Sequence, residues 1–245
     1  MFKSTRLLSN DLIGQLKFTH HAFLHKHTHR TMTDTQQPLA TITNQRDKTT
    51  NGTIDTINPK SPLEFTWTFW YIKPDKRSSW EQSLINLIDI SFVEDFWATY
   101  NHLATPSRLS QSKSNSDYYF FKKGIRPMWE DKANAKGGRW LLTCGGQDTK
   151  LDELWLETLL GMIGDCFSHD SDPEPLSKYI TGCVVAIRTR GHKIALWLSE
   201  AHNGTIVREI GRRWRSIINL PSNVRIQFDM HNETTNGSQR PMYEE

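Results

Sequence analysis

A tryptophan and a glutamate stand side by side in the segment from Arg126 to Asp131, shortly after a proline. Pro127 restricts its own φ and biases Arg126 toward an extended backbone, which predicts a loop. The indole of Trp129 can stack on a flat ring while Glu130 accepts hydrogen bonds from that ring's edge. Guanine offers adjacent N–H donors there, at N1 and N2, and methylation at N7 would add a cation–π attraction. For a Trp-Glu pair taken alone, surface packing beside a solvated carboxylate is the more common interpretation.

A second candidate stacking surface is Trp80, which follows the charged stretch from Lys73 to Ser79. An aromatic ring in such a loop has little core to reach, although an indole folded back onto the domain is an equally good interpretation of this segment alone. The chain has nine tryptophans among 245 residues. So many indoles are not all expected to be core filler, and some should reach a functional surface.

A basic hairpin is predicted around Gly191, where Arg188, Arg190 and Lys193 lie close together. Cations this close repel one another unless an anion binds among them, and phosphate groups are the natural partner. Trp197 follows on the returning strand. A solvated basic hairpin is the more common interpretation in isolation. Combined with the loop tryptophans and the glutamate, the hairpin indicates a nucleotide site.

The elements that must position these residues alternate between strands and amphipathic helices. Period-two alternation predicts a strand from Leu63 to Ile72, with Trp70 making its second face partly apolar. Helical spacing predicts three helices, over apolar positions 93–103 (begun by a capping box at Ser91), 151–163 and 206–218. Further strands are predicted at 118–121, 139–144, 182–188, 193–198 and 224–229. Strands arriving mainly as hairpins predict an α+β domain, an antiparallel sheet with helices on one face.

Residues 1–60 are rich in Thr, Asn, Gln and Lys, which predicts a disordered polar and basic tail. The part from Met1 to His25 faintly resembles an organelle transit peptide, but an ordinary basic tail is favoured. Met32 is a candidate alternative start. No cysteine accompanies the nearby histidine cluster, so neither a metal nor another cofactor is predicted. The cluster consists of His20, His21, His25, His27 and His29. Residues 61–245 are predicted to form one domain with a loose tail from about residue 232.

Charge and cysteine usage set broad limits on location and partners. The formal net charge of +3 permits an anionic partner without requiring one. The three cysteines form no CxxC pair, which predicts reduced thiols and a location in the cytoplasm, with the nucleus as a second site. No apolar run approaches the ~18 residues that a membrane span needs, so no membrane partner is expected. Arginines on the last predicted helix favour a solvated basic face, with RNA contact second. They are Arg208, Arg212, Arg213 and Arg215.

Several segments keep the order and spacing of one known family. They are Arg77–Trp80, Val93–Trp97, Gly124–Asp131, Gly137–Trp140, Trp155–Leu160 and Arg188–Trp197. Together they resemble eukaryotic translation initiation factor 4E, the family that binds the 7-methylguanosine cap of mRNA. The resemblance runs from about Ser61 to His231 and does not cover the preceding tail.

The resemblance implies a cupped, strongly curved antiparallel sheet with three long helices on its convex face and the cap in its concave face. Trp80 and Trp129 would sandwich the methylated base, Glu130 would accept from guanine N1 and N2, and the Trp129 backbone N–H would reach O6. The implied base-binding residues are Trp80, Met128, Trp129, Glu130 and Trp197, the last touching the N7 methyl group. The implied phosphate-binding residues are Arg188 and Lys193, which bind directly, and Arg139 and Arg190, which assist.

The same resemblance implies a second surface on the convex face, formed by Pro62, Val93, Trp97 and Leu156. It would dock a short helix of a scaffold of the initiation factor 4G type or of a 4E-binding repressor protein. From spacing alone, Trp97 is either core or a half-exposed anchor. The implied function is to bind the cap and recruit the scaffold that starts translation, without catalysis.

An alternative within the family is a cap-binding translational repressor that competes for caps without recruiting the scaffold. Repressor-type relatives carry Tyr where Trp67 and Trp80 stand, which favours the promoting class. An enzyme acting on caps is disfavoured, since no Gly-rich cofactor loop follows a strand and no dense Glu cluster is present. A carbohydrate-binding module with exposed Trp platforms would not need Arg188 or Lys193.

The sequence also departs from the family pattern at a few positions. Ala186 and Ile187 stand where Asn-Val often precedes the first phosphate-binding arginine. The segment from Asn232 to Met242 lacks the family's lysine, which removes one expected contact to the distal phosphates. Ser238 is only a weak match to the family's regulatory phosphorylation site.

Overall fold

The computed structural model describes residues 60–73, 77–112, 115–145, 148–231 and 241–245. Apart from Lys60, the predicted N-terminal tail lies outside the described residues, together with its histidine cluster and Met32. Ser238 and most of the predicted C-terminal tail also lie outside them.

One antiparallel sheet of eight strands organises the described part of the chain, with the order β2-β1-β3-β5-β6-β4-β7-β8. The strands are β1 Pro62–Ile72, β2 Leu84–Phe92, β3 Ser116–Lys122, β4 Gly138–Cys144, β5 Ile180–Ile187, β6 His192–Leu198, β7 Gln227–Met230 and β8 Tyr243–Glu244. The helices are α1 Trp80–Ser83, α2 Val93–Tyr100, α3 Pro106–Gln111, α4 Asp148–Ile163 and α5 Gly204–Ile217, with a 3-10 turn at Leu176–Tyr179. The sheet is curved, and the predicted α+β class is confirmed.

The alternation of β1 sends apolar side chains to both faces of the sheet. Trp67 and Phe69 belong to the large core that the helices cover, while Ile72 belongs to a smaller cluster on the opposite face. That second cluster is built mainly from strand residues. The sheet therefore has a helix-covered convex face and an open concave face, whose floor is apolar.

Close contact between α5 and the sheet closes the helix-covered core. The indole N–H of Trp140 on β4 donates to the carbonyl of Val207 at 2.9 Å. A Cβ at Gly211 would lie 2.5 Å from the Trp140 ring, so only glycine permits this approach. The indole N–H of Trp214 donates to Thr158 at 3.1 Å, which joins α5 to α4.

The start of α2 differs from the prediction. Ser91 lies within β2, where its hydroxyl is 3.0 Å from that of Thr66, so it forms no capping box. Phe92 is the N-cap and contributes no side-chain hydrogen bond. Instead, the Glu94 carboxylate accepts from the backbone N–H of Ser61 at 3.0 and 3.2 Å. The helix is eight residues long, shorter than the 16 of α4 and the 14 of α5.

Strand β2 was not predicted from the sequence. Its residues lack strict alternation because a register shift against β1 falls between the pairs at Phe69 and Trp70. It also forms an edge of the sheet, which leaves Ile85, Leu87 and Ile88 exposed. A mixed exposure pattern of this kind removes the periodic signal on which strand prediction depends.

The last residues of the chain belong to the sheet. Tyr243 and Glu244 pair with β7 as the edge strand β8. The backbone carbonyl of Glu245 accepts from Arg215 and from the N–H of Ile226, both at 3.0 Å. This part of the predicted loose tail is therefore held in place, while residues 232–240 lie outside the described ranges.

Candidate functional site

An open cavity of about 970 Å³ lies over the apolar floor of the concave face. Its walls are α1, the segment that carries Trp129, and the end of the β5–β6 hairpin. Of the base- and phosphate-binding residues implied by the resemblance, all except Arg190 line this cavity. They are Trp80, Met128, Trp129, Glu130, Arg139, Arg188, Lys193 and Trp197.

Strand register explains why residues distant in sequence meet in this cavity. Paired residues on neighbouring strands point to the same face of a sheet. Three rows cross the open face from β3 through β5 and β6 to β4. They are Asp117–Ala186–Lys193–Thr143, Tyr119–Val184–Ala195–Leu141 and Phe121–Gly182–Trp197–Arg139. Asp117 and Lys193 thus lie in the row at one end of the cavity floor, and Trp197 and Arg139 lie in the row at the other end.

Trp80 is the first residue of the short helix α1 and does not lie in an irregular loop. Ser79 and Gln82 form a capping box, in which the Gln82 N–H donates to the Ser79 hydroxyl at 3.3 Å and the Ser79 N–H donates to Gln82 Oε1 at 3.0 Å. The indole stays 40% exposed. The cap therefore holds a solvent-accessible ring at a defined place on the cavity wall.

The Trp129 segment is a tight loop that two polar side chains hold from behind. Asp131 accepts from the backbone N–H groups of Arg126 and Ala133, both at 2.9 Å. The buried amide of Asn134 donates to the carbonyls of Arg126 and Met128 at 3.0 and 2.8 Å. These contacts leave Trp129 49% exposed. Sequence reasoning missed the role of Asn134, since a polar stretch gives no sign of which member turns inward.

The two tryptophan-bearing walls are joined by an ion pair. Arg126 Nη2 lies 3.2 Å from Glu81 Oε1, so the loop beside Trp129 touches the helix that begins with Trp80. Both side chains are about half exposed, 50% and 55%, so the pair contributes little stability. It indicates instead that the two walls lie close to each other.

The charged end of the cavity is organised by Arg188. Its guanidinium forms a two-pronged ion pair with the buried Asp117, with Nη2 2.9 Å from Oδ2. Hydrogen bonding to Asp117 raises the pKa of Arg188, which keeps it charged. Lys193 is exposed on β6. Arg190 is exposed at the hairpin turn beside Gly191, whose φ of +123° favours glycine, and it lies outside the cavity lining.

The floor of the cavity is formed in part by Trp197, which is only 7% exposed. Its ring packs against Phe121 with centroids 5.5 Å apart and against His231 with centroids 4.2 Å apart. Burial, followed by the charge of Arg139, lowers the pKa of His231 to about 3. His231 is therefore neutral near pH 7 and can pack behind the indole without charge. No sequence signal pointed to this residue.

The implied partner-helix residues are spread over different environments on the convex face. Pro62 is exposed and Leu156 is half-buried, while Val93 is only 5% exposed. Trp97 is 2% exposed and packs edge-on against Phe96 and Tyr100. Of the two interpretations open from the sequence, the structure favours core for Trp97 over a half-exposed anchor.

Within ranges 60–73, 77–112, 115–145, 148–231 and 241–245, no group of three or more His, Cys, Asp or Glu side chains is arranged to hold a metal ion. No helix within the same ranges has both the length and the apolar character of a membrane span.

Comparison with known proteins identifies the family. A family model for eukaryotic initiation factor 4E matches residues 62–244. The chain belongs to this family. The chain is 42% identical over 176 residues to eukaryotic translation initiation factor 4E1 of Drosophila melanogaster, a match that covers 71% of this chain and 64% of the relative. The chain thus spans a little under two thirds of that protein. Members of the initiation factor 4E family are not enzymes, as expected from the sequence.

Solved structures of the initiation factor 4E family have the same fold. Ascaris suum eIF4E-3 in complex with an m7G cap superposes with a TM-score of 0.69 at 36% identity, covering 76% of this chain and 98% of that one. Caenorhabditis elegans eIF4E-3, solved with the 4E-binding protein Mextli and a cap analogue, has a TM-score of 0.68 at 34% identity, covering 76% of this chain and all of that one. The resemblance found in the sequence is thereby confirmed at the level of family and fold.

Proposed function

We propose that this chain binds the 7-methylguanosine 5′ cap of mRNA in the cavity on its concave face. The observation that carries the proposal is that Trp80 and Trp129 are 40% and 49% exposed and line one cavity from separate segments. Two accessible indoles across a cavity can hold a flat aromatic ring between them. A ring made cationic by N7 methylation gains a further attraction to both indoles.

Glu130 supplies the group that selects guanine. It is exposed on the cavity wall beside Trp129, in the loop held by Asp131 and Asn134. A carboxylate accepts hydrogen bonds and does not donate them, so it suits the N1 and N2 donors of guanine. Adenine lacks this pair of donors, which makes Glu130 the selective element of the site.

The cap phosphates are expected at the charged end of the same cavity. Arg188 and Lys193 line this end, whereas Arg139 also lines the cavity but lies at the other end, in the row of Trp197. Guanidinium groups bind phosphate oxygens through paired N–H donors, and an ammonium group adds charge. Arg190 lies outside the lining, so we assign it a weaker, longer-range contribution.

The relatives support this proposal. The matched Ascaris suum protein was solved with an m7G cap, and the matched Caenorhabditis elegans protein was solved with a cap analogue. Each shares about a third of its residues with this chain.

We further propose that the convex face recruits a scaffold of the initiation factor 4G type. The chain would then act in the cytoplasm, where it would promote translation. The same surface would accept 4E-binding repressor proteins. The matched Caenorhabditis elegans protein was solved with a 4E-binding protein, Mextli, which supports a partner of this kind. Trp67 and Trp80 are the two residues that favoured the translation-promoting class over the repressor class. Trp67 is buried and stacks on Phe120 with centroids 5.1 Å apart. Of the two, only Trp80 lines the cavity, so the argument for the promoting class from cap binding rests on Trp80.

The proposal is tested by calorimetric titration of the full chain with 7-methyl-GTP and with GTP. Methylation should strengthen binding by about 0.5–2 kcal/mol. Trp80→Ala and Trp129→Ala should each weaken 7-methyl-GTP binding by about 1–3 kcal/mol. Ile88→Ala, an exposed apolar residue on the edge strand β2, serves as control and should bind like the unaltered chain. Equal affinity for the two nucleotides, or unaltered binding in both tryptophan variants, would contradict the proposal.

A separate experiment distinguishes promotion from repression. The full chain is added to a translation extract depleted of its own initiation factor 4E, programmed with capped and uncapped reporter mRNA. A promoting factor should restore synthesis from the capped reporter and bind a helix peptide derived from the scaffold. A repressor would bind the cap, leave synthesis low and fail to bind that peptide.

A further inference from the structure

Two buried polar residues lie in the floor of the cavity, and nothing in the sequence pattern had marked them for function. Asp117 and Tyr119 are two positions apart on β3 and therefore point to the same, open face. Each is 5% exposed. They lie in adjacent rows of the floor, Asp117 in line with Lys193 and Tyr119 in line with Ala195.

The carboxylate of Asp117 binds Arg188 from below. Both guanidinium Nη atoms donate to it, and one also donates to the backbone carbonyl of Ile187 at 2.8 Å. A guanidinium has more N–H donors than these contacts use. The side chain of Arg188 is 40% exposed, against 7% for Asp117. Asp117 thus fixes the orientation of Arg188, and the remaining N–H donors of the guanidinium stay available to a ligand in the cavity.

Tyr119 lies between Asp117 and the wall that carries Trp80. Its hydroxyl donates to Asp117 Oδ2 at 3.1 Å. Its ring meets the Trp80 indole edge-on, with centroids 6.2 Å apart and planes at 85°. Helix α1 has no buried residue of its own, so this ring contact ties Trp80 to the sheet. One tyrosine therefore touches the stacking wall and the group that holds Arg188.

We propose that Tyr119 and Asp117 are positioning residues that couple the two ends of the cavity, Tyr119 orienting Trp80 and Asp117 orienting Arg188. Binding of the base and binding of the phosphates then strengthen each other, because a base held against Trp80 stabilises the same hydrogen-bonded chain that presents Arg188. This inference rests on the proposed function and adds two residues to it.

The protonation state of Tyr119 supports this arrangement. Burial, followed by the charge of Asp117, raises the pKa of the Tyr119 hydroxyl. The hydroxyl therefore keeps its proton at all working pH values and remains a donor to Asp117. The groups that face it are Asp117, Arg188 and Trp80.

The strand itself offers a matched control. Tyr118 is also 5% exposed, but it points to the helix-covered face and packs on Tyr71 with centroids 5.4 Å apart. Tyr118→Phe and Tyr119→Phe each remove one buried hydroxyl from neighbouring positions on β3. Only the second removes it from the cavity.

The test titrates the full chain with 7-methylguanosine, which lacks phosphates, and with 7-methyl-GTP. Tyr119→Phe keeps the ring and removes the hydroxyl that donates to Asp117, so it should weaken 7-methyl-GTP binding about fivefold, the effect of one lost hydrogen bond, and weaken 7-methylguanosine binding less. It should also reduce the gain in affinity that the phosphates provide. Asp117→Asn should reduce that gain while leaving 7-methylguanosine binding nearly unaltered. Tyr118→Phe should match the unaltered chain with both ligands.

A spectroscopic measurement separates positioning from general stability. With 5-fluorotryptophan incorporated, the Trp80 resonance of the free chain should shift or broaden in Tyr119→Leu, which removes the ring that contacts Trp80, and not in Tyr118→Leu. If Asp117→Asn fails to fold, Asp117→Glu asks the same question, since it keeps the charge and displaces the carboxylate that orients Arg188. It should lose most of the phosphate gain and keep 7-methylguanosine binding.

The outcomes are distinguishable from failure of the proposed function. If the unaltered chain binds 7-methyl-GTP no better than GTP, cap binding itself is wrong. If the unaltered chain prefers the methylated ligand but Tyr119→Phe and Tyr118→Phe behave alike, the coupling is wrong. An unchanged phosphate gain in Asp117→Asn and in Asp117→Glu would show that Asp117 does not position the phosphate-binding group.

Discussion

The carboxylate of Asp131 and the backbone N–H of Arg126 are joined by a hydrogen bond of 2.9 Å that closes the loop carrying Trp129 and Glu130. The second oxygen of Asp131 accepts from the N–H of Ala133, also at 2.9 Å. Neither contact uses the indole or the Glu130 carboxylate. The loop is thus shaped before a ligand arrives, which lowers the ordering cost of binding.

Asp131→Ala should weaken 7-methyl-GTP binding by about 1 kcal/mol or more, because two backbone N–H groups lose their acceptor and the loop has to be ordered on binding. Calorimetric titration of the full chain measures this effect. Lys132→Ala, an exposed neighbour in the same loop, should bind normally. Unaltered affinity in Asp131→Ala would show that other contacts shape the loop.

Glu130→Ala should remove the preference for guanine over adenine, since the acceptor that reads N1 and N2 is lost. Binding of 7-methyl-GTP should weaken by about 1.5–3 kcal/mol, the range for a hydrogen bond to a charged group. Titration with guanine and adenine nucleotides compares the two bases directly. Glu81→Gln removes a carboxylate from the opposite wall and should keep the preference. A Glu130 variant that still discriminates would refute the edge-reading role.

Lys193→Ala should weaken 7-methyl-GTP binding more than Arg190→Ala does, because Lys193 lines the cavity and Arg190 does not. We expect a loss of roughly 1–2 kcal/mol for Lys193, as for one charge-assisted contact. Titrations at low and high salt should show a reduced salt dependence in the lysine variant. Equal losses for both variants would place the phosphates nearer the hairpin turn.

Trp97→Ala should lower stability by about 3–5 kcal/mol, because the indole is 2% exposed and its removal leaves a cavity in the core. Thermal unfolding measures this loss. Leu156→Ala is the better probe of partner binding, since the side chain is half-buried on α4. It should weaken binding of a 4E-binding helix peptide and spare cap affinity, with Glu153→Ala on the same helix as control. If Leu156→Ala binds the peptide with unaltered affinity, the partner-binding surface does not include Leu156.

The ion pair between Asp172 and Arg213 should make stability depend on pH in the acid range. Hydrogen bonding to Arg213 is the largest cause that lowers the pKa of Asp172, from 3.8 to about 2. A lowered folded-state pKa stabilises the fold above about pH 4, and this contribution disappears as pH falls toward 2. It is on the order of 2 kcal/mol.

Urea unfolding at several pH values tests this ion pair. Asp172→Asn should be less stable than the unaltered chain at pH 6, and the difference should shrink as the pH approaches 2. Glu153→Gln, an exposed change on α4, should show no comparable effect. A difference that stays constant between pH 6 and pH 2 would contradict the assignment.

Local sequence patterns were sufficient for part of the fold. The alternation in β1 predicted a strand with two apolar faces, and Ile72 does lie on the open face. Helical spacing located α4 and α5 because their buried stripes repeat over many turns. The hairpin at Gly191 was also predicted from the sequence. In the structure this residue has a φ of +123°, which favours glycine.

Other features were hidden because they depend on partners distant in sequence. Arg213 was predicted to belong to a solvated basic face, but it pairs with Asp172, 41 positions away. Arg188 pairs with Asp117, 71 positions away. The periodicity of apolar residues and the composition of a segment depend only on residues that are close together along the chain. They carry no information about which carboxylate will lie beneath which guanidinium.

The sequence by itself determined which side chains are available for chemistry: indoles, one adjacent carboxylate and a basic hairpin, together with the local elements that carry them. Only the tertiary structure decided which of these face the same cavity. Strand register placed Lys193, Ala195 and Trp197 in rows with Asp117, Tyr119 and Phe121, whereas Arg190, in the turn between β5 and β6, lies outside the cavity lining. The physical reason is that side-chain direction is set locally, by the pleat, while proximity across a sheet is set by pairing between strands that are far apart in the chain.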